Sequence, residues 1–540
     1  MWRAESTGDL TETKESAMRG LSRRFLLAFC ASLALCYIFL LHSSVGSLPV
    51  APSRERPHLD QEGRKAVVLD AFQHAWNGYS KYCFGRDTLH PVTNGCVDDF
   101  GGYGATAIDA LSTAIIFGKE DVVVQILDFI ATLDWTKVKG GARIQVFEVT
   151  IRHFAAIISA WDLLNGPFAS MAQSSTLRQA LYDQMVKLGD TLSCAFDTPS
   201  GIPRGWVDPK ACESDLATSN TVAAAGTLIL EFGRLSDITK DSKYVRLARR
   251  AEEYLLRPEP ADSEPFPGLL GSTVDVSSGE ILDSSGSWGA SADSFYEYLL
   301  KAYIYDSEQY GSYLERWLVA ADSTITSIGS HPYGHPEWTL LSTWNGEDVN
   351  HIMESLAWFA GGNFILGGMV TANQTLVDYG LSIADAAGAV YQKTKTGLGP
   401  EFVTWDPICH GSCKPDDALQ IVGAQFRLRP EVLETWYYAY RATKNPKYRD
   451  WSWAAFEAIL EYCRTDSGFS GIVNVNAADG GGKTDVQESF VFAEVMKYVY
   501  LTQLEDDHAP FHVQDSRTGV TNTWVFNTEA HPLKVVGKPV

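Results

Sequence analysis

The sequence lacks the common catalytic signatures. It carries no Walker phosphate loop, no HExxH helix, no paired CxxC and no GxSxG elbow, which removes the usual routes to nucleotide hydrolysis, zinc chemistry and serine-hydrolase chemistry. Basic charge is short as well: 44 Lys and Arg stand against 66 Asp and Glu, a formal net charge of -22. An acidic surface of that size repels phosphate backbones, so nucleic acid is excluded as a partner. Strand-like alternation is scarce, and no unit recurs at a fixed period.

What is present is apolar and aromatic. The 540 residues are 45% hydrophobic and 12% aromatic, ample for a large core, and the aromatic richness suits a neutral hydroxylated ligand such as sugar. Residues 25–41 form an uncharged apolar run just long enough to approach a bilayer crossing, with Arg19, Arg23 and Arg24 before it and no further basic residue until Arg54. That asymmetry predicts a type II signal anchor over 25–41, with a cytoplasmic tail over 1–24, a luminal stem over 42–60 and the folded domain over 61–540. A cleaved signal peptide is the competing reading.

Two of the nine cysteines, Cys30 and Cys36, fall inside the apolar run; the other seven are expected to face an oxidising lumen. Cys83 with Cys96 and Cys194 with Cys212 are spaced as local bridges. Cys463 has two candidate partners, Cys409 and Cys413, between which the sequence does not choose. The sequon Asn373-Gln374-Thr375 agrees with the same compartment.

Helical periodicity recurs along the folded domain with short Gly-, Pro- and Asp-containing breaks. About fourteen helices are expected, among them segments near 146–164, 213–234, 287–305, 349–368, 430–443 and 485–502. With no linker between halves, they predict one all-α domain of stacked helical hairpins, closed into a barrel rather than left as an open solenoid. Residues 523–536 are β-like instead and are placed to plug one mouth of such a barrel.

Three carboxylate clusters lie on aromatic-rich helices, where charge is costly unless it is paired or used. Glu148 and Arg152 stand four apart in VFEVTIRHF, as do Asp293 and Glu297 in SADSFYEYLLKAY. Arg429, Glu431 and Glu434 gather at a helix start behind Pro430. Structural ion pairing explains any one of these; together they supply the two carboxyl states that glycosidic cleavage needs, a protonated acid and an ionised base. GGYGAT (101–106) is read as a tight helix start, not a phosphate loop, since no strand precedes it.

The blocks AFQHAWNGY (71–79), DDFGGYGATAIDAL (98–111), FEVTIR (147–152), ADSFYEYLLKAY (292–303), LRPEVLETWYYAYRAT (428–443), QESFVFAEVMKYVYL (487–501) and FNTEAHP (526–532) resemble the class I α-1,2-mannosidases of glycoside hydrolase family 47, with wording closest to the fungal branch. The resemblance runs from about residue 64 to the C-terminus. It implies an (α/α)7 barrel plugged by a C-terminal β-hairpin, inverting removal of terminal α-1,2-mannose from high-mannose N-glycans, and a Ca²⁺ ion at the barrel floor. It assigns Glu148 as proton donor, Asp293 as a second catalytic carboxylate and Glu431 as base. Thr528 would give Ca²⁺ its backbone oxygen and hydroxyl. Glu434, Glu488 and Glu529 match acids around that site, while Arg152, Glu297, Glu354 and Arg429 would contact or orient substrate. Residence in the endoplasmic reticulum or Golgi membrane follows from the anchor.

The match has gaps. Where the family carries a His after the acid of its (D/E)-H-L-x-C-F block, this chain has ESLAWFAGG, with Ser355 after Glu354. His351 is a possible substitute one helical turn away, though a solvent-facing ring is the plainer reading. The Cys of that block is Trp358 and its usual disulfide partner is Ala387; loss of such a bridge removes about 2–4 kcal/mol that packing must offset. Ser291 stands where enzymes of the endoplasmic reticulum carry Arg, which predicts broad trimming over single-branch specificity. The rival reading is a mannose-binding quality-control lectin with weak or no turnover.

Overall fold

The computed structural model describes residues 59–505 and 521–540. The predicted tail and anchor and nearly all of the stem lie outside the described residues; among those described, no helix is long and apolar enough to cross a membrane.

Counting π turns with the α-helices they join, the described residues form fourteen helical runs of eleven residues or more. These are α1 (Gln61–Tyr82), α2 (Ala105–Ile116), α3 (Glu120–Ala131), α4 (146–164), α5 (Ser175–Ser193), α6 (Ile229–Thr239) and α7 (Lys243–Leu256). They continue with α8 (Asp293–Tyr305), α9 (311–328), α10 (Phe359–Val370), α11 (Gln374–Lys393), α12 (Glu431–Thr443), α13 (Pro446–Tyr462) and α14 (491–503). The even-numbered helices close a ring: α2 packs on α4, α4 on α6, α6 on α8, α8 on α10, α10 on α12, α12 on α14, and α14 returns to α2. Each odd-numbered helix backs onto that ring, α1 against α14, α3 against α2, α7 against α6, α9 against α8, α11 against α10 and α13 against α12, with α5 between α4 and α6.

Sequence decides which helix goes where. Every residue of α2 is buried: its one polar face, Thr106, Asp109, Ser112 and Thr113, meets protein partners in place of water, Asp87, Arg152, His531 and Phe492 among them. In α7 only Tyr244, Ala248, Ala251, Glu252 and Leu255 are buried, a single face at three- and four-residue spacing, with Arg and Lys on the other side. Glycine sets the closest approach: a Cβ on Gly380 of α11 would stand 2.5 Å from the carbonyl of Gly361 on α10, so the two helices meet backbone to backbone only without side chains there.

Short strands are more numerous than the sequence reading allowed. They run two to five residues each, too short for alternation to show. They also shorten helices expected to start earlier. Ser219–Thr221 pairs with Thr273–Asp275, so α6 begins at Ile229 and not near 213. Ile352–Glu354 pairs with Phe402–Trp405, and α10 begins at Phe359 and not near 349. Ser285–Gly286 pairs with Trp344 and Asn345, and α8 begins at Asp293.

The β-like C-terminal stretch is an antiparallel hairpin, Trp524–Phe526 with Pro532–Lys534. It stands inside the ring. Its turn residue Asn527 donates to the Ile151 carbonyl of α4 and to Glu231 of α6, each at 3.0 Å. The ring of Phe526 packs on Tyr437 of α12 and Tyr498 of α14, and His531 reaches Ser112 of α2 at 2.9 Å.

Cys83–Cys96 and Cys194–Cys212 are bridged as expected. Cys463 pairs with neither candidate: it is buried and free at the end of α13, and Cys409 joins Cys413. A core thiol cannot reach that exposed loop, whereas two cysteines four residues apart close a short loop at little entropic cost. GGYGAT is indeed a helix start, and a protein carboxylate holds it: Asp87 accepts from the backbone N–H groups of Phe100, Gly102, Gly104 and Ala105.

Candidate active site

Four inner helices and the hairpin turn open onto one cavity of about 640 Å³. Glu148 and Arg152 come from α4, Asp293 and Glu297 from α8, Glu431 and Glu434 from α12, Glu494 from α14, and Thr528 and Glu529 from the hairpin turn; Arg429 precedes α12. Two of these helices carry a π turn at the cavity, Thr150–Phe154 in α4 and Val491–Val495 in α14. Such a turn rotates the following face, and here it brings Arg152 and Glu494 to the cavity wall.

Arg152 is the hub. Its Nε donates to Glu148 Oε2 at 2.9 Å and its Nη1 to Ser489 Oγ at 3.2 Å. The same Nη1 pairs with Glu529 and lies 3.5 Å from Asp109 Oδ2, and the guanidinium covers the ring of Phe100 at 4.9 Å. Arg429 lies 3.7 Å from Glu401 Oε2 and over Phe490. Lys301 donates to Glu297 and stands 3.7 Å from Glu434 Oε1.

Acids outnumber these cations, and burial makes the excess costly. Withdrawal from water pushes Asp293 up to about 7, with Glu354 and Glu297 adding repulsion against the hydrogen bond from Ser294. Burial likewise raises Glu431 to about 8, against Arg429 and with Glu401 and Glu434, and Glu434 to about 7 against the pull of Lys301. Glu494 and Glu529 are raised well above the ordinary carboxylate range too, by burial first; for Glu494 the charges of Glu529, Glu431 and Glu434 add to it. Glu431 Oε2 is buried without a hydrogen-bond partner.

The remaining expected residues flank this wall. Glu354 stands behind it, its Oε1 accepting from the Ala290 N–H at 2.6 Å, and a Cβ on Gly289 would collide with that carboxylate. Glu488 lies between the charges of Arg152 and Arg429, which oppose the upward push of its burial. Ser291 lines the cavity directly, at φ 81°. His351 does not replace the missing family His. It precedes a strand, not a helix, and its Nδ1 is 3.0 Å from Ser342 Oγ with the ring against Trp405. Trp358 and Ala387, which stand at the two positions of the absent bridge, are both buried.

Several site residues escape sequence reading. Asp109, Glu401 and Lys497 meet the site from segments far apart in the chain, whereas Lys301, four residues after Glu297 on α8, had the spacing of a helical ion pair and was missed. Glu494 had one available signal, a lone acid inside the apolar run FVFAEVMKYV.

A family model described as glycosyl hydrolase family 47 matches residues 71–535. The chain belongs to glycosyl hydrolase family 47. It is 44% identical over 497 residues to a probable mannosyl-oligosaccharide alpha-1,2-mannosidase 1B of Aspergillus clavatus, covering 91% of this chain and 97% of that one. It is 46% identical over 486 residues to a mannosyl-oligosaccharide alpha-1,2-mannosidase of Penicillium citrinum, covering 89% and 94%. The fold superposes on the alpha-1,2-mannosidase from Trichoderma reesei with a TM-score of 0.84 at 40% identity, over 89% of this chain and 100% of the other. Membership of family 47 makes the chain a glycoside hydrolase with a helix-rich fold.

Proposed function

We propose that the chain is an inverting exo-α-1,2-mannosidase that removes terminal mannose from high-mannose N-glycans on glycoproteins of the secretory pathway. The observation that carries this is the convergence of Glu148, Asp293 and Glu431 on one cavity, together with the family and its named relatives. The closed ring is read as an (α/α)7 barrel, and the hairpin as its plug.

Glu148, held by Arg152, is placed to give a proton to the leaving glycosidic oxygen. Glu431 would take one from the attacking water, ionised once a cation at the floor offsets the burial that otherwise raises its carboxyl to about 8; its Oε2 has no other hydrogen-bond partner. Asp293, at the start of α8, faces the same space and would stabilise positive charge on the sugar ring in the transition state. Ser291 beside it leaves room for more than one glycan branch.

The floor fits a hard cation. Thr528 offers a carbonyl and a hydroxyl, Glu434, Glu488 and Glu529 are at hand for bound water, and the uncompensated carboxylates described above need positive charge. Calcium, when bound, supplies that charge and takes sugar hydroxyls as ligands. The chain's own residues do the rest: Arg152 and Arg429 orient carboxylates, and Phe490 and Phe359 wall the cavity against water. The luminal assignment and the N-terminal anchor are part of the same proposal. Three disulfides and an exposed Asn373 support an oxidising, glycosylating compartment.

The test is stereochemical. Followed by proton NMR, cleavage of the methyl glycoside of α-1,2-mannobiose, whose second anomeric centre is locked, should release β-mannose first, with free α-mannose appearing only by later mutarotation. Immediate α-mannose would mean retention and remove Glu431 from the role of base.

A further inference from the structure

The strand Trp206–Asp208 pairs with Ile144–Gln145, which runs directly into α4 and its Glu148. Its backbone is fixed from both sides, the Val146 N–H bonding the Gly205 carbonyl and the Asp215 N–H the Trp206 carbonyl, each at 2.9 Å. On this rigid support the side chain of Trp206 stays 44% exposed. Nothing in the core requires an indole there, and leaving one in water forfeits apolar burial.

Trp206 borders two spaces. One is the catalytic cavity; the other is a second groove of about 550 Å³, and Gln145 and Asp215 are shared between them as well. Beyond that shared wall the groove is polar, with Asp99 and Arg143 among its lining. A chain of sugars leaving the cavity on this side must pass over the indole.

We propose that this groove is a second sugar subsite, with Trp206 as the stacking platform between it and the cavity, receiving mannose residues of the glycan arm that is not being cut. The inference rests on the mannosidase reading. Sugar C–H faces pack on indole, and carboxylate, amide and guanidinium groups bond the hydroxyls around them. A concave polar wall with one aromatic is unlike the apolar core of a protein interface. The chain's net charge of -22 disfavours an anionic ligand.

The experiment compares α-1,2-mannobiose, which fills the cavity alone, with a branched high-mannose oligosaccharide. Trp206→Ala should lower kcat/KM for the branched glycan about tenfold more than for mannobiose, chiefly through KM. Trp206→Phe should recover part of the difference, and Arg143→Ala, at an exposed position, should shift the ratio the same way by less. Equal losses on both substrates, or no loss on either, would overturn the subsite. Calorimetric binding of the branched glycan separates the two readings. A wild-type protein that binds without cutting sinks the mannosidase reading, and the subsite then stands or falls on whether Trp206→Ala weakens binding.

Discussion

Glu148, Asp109 and Glu529 all lean on the one guanidinium of Arg152, so the proposed proton donor is held in place by a group that also fixes the cavity floor. Glu431 is different. Its partner charges stand nearby, yet Oε2 is buried without a hydrogen-bond partner, and the residue lines the cavity beside Glu148 and Asp293, where an unpaired carboxylate oxygen can serve as a base. Glu431→Gln keeps the shape and removes the proton acceptor. Turnover of mannobiose should fall by about 10²–10⁴, while calorimetry shows binding within a few-fold of wild type; retained turnover would take the base role away from Glu431. At this scale the sequence was legible where partners lie on one helix face. Glu148 with Arg152 could be read from a spacing of four. Glu401 beside Arg429 could not, because no local pattern joins a loop residue to the start of α12.

Among the elements, the number of helices was legible in the sequence, because apolar residues recur at helical spacing between short breaks. The closure of the ring was not: nothing in α2 names α14 as its neighbour. Helix starts at 213, 287 and 349 were misplaced because strands of two or three residues, each paired with a segment distant in the chain, interrupt helical-looking stretches, and tertiary pairing overrode local preference. The outer layer carries its own buried acid. Glu252 of α7 accepts from the Tyr313 hydroxyl of α9 at 2.6 Å, and burial raises its carboxyl to about 8. Between pH 4.5, its ordinary value, and about 8 the folded state keeps a proton that the unfolded chain has released, so this group's contribution to stability falls as pH rises through that window. Glu252→Gln still accepts the tyrosine bond and has no proton to lose. At fixed calcium its Tm relative to wild type should rise by a few degrees from pH 5 to pH 8; a constant difference would show that Glu252 is ionised in the fold.

For the whole molecule the governing fact is an excess of buried acid around the hairpin turn. Mutual repulsion among Glu431, Glu434, Glu494 and Glu529 opposes folding, and a cation bound to the native state alone relieves it. Calcium at a hundredfold over its Kd should therefore stabilise the protein by about 2.7 kcal/mol, read by calorimetry as a higher Tm that a chelator reverses. Calcium affinity should weaken as pH falls from about 8 through about 7, where Glu431 and then Glu434 take up protons. An unmoved Tm would argue against a cation at the floor. The central claim is that these carboxylates act together on mannose, and the most direct measurement is mass spectrometry of a high-mannose N-glycan incubated with the folded domain. Stepwise loss of hexose with calcium present, abolished by chelation and by Glu431→Gln, is the expected result. Glycan that binds but keeps its full mass would contradict the account and leave a mannose-binding lectin in its place.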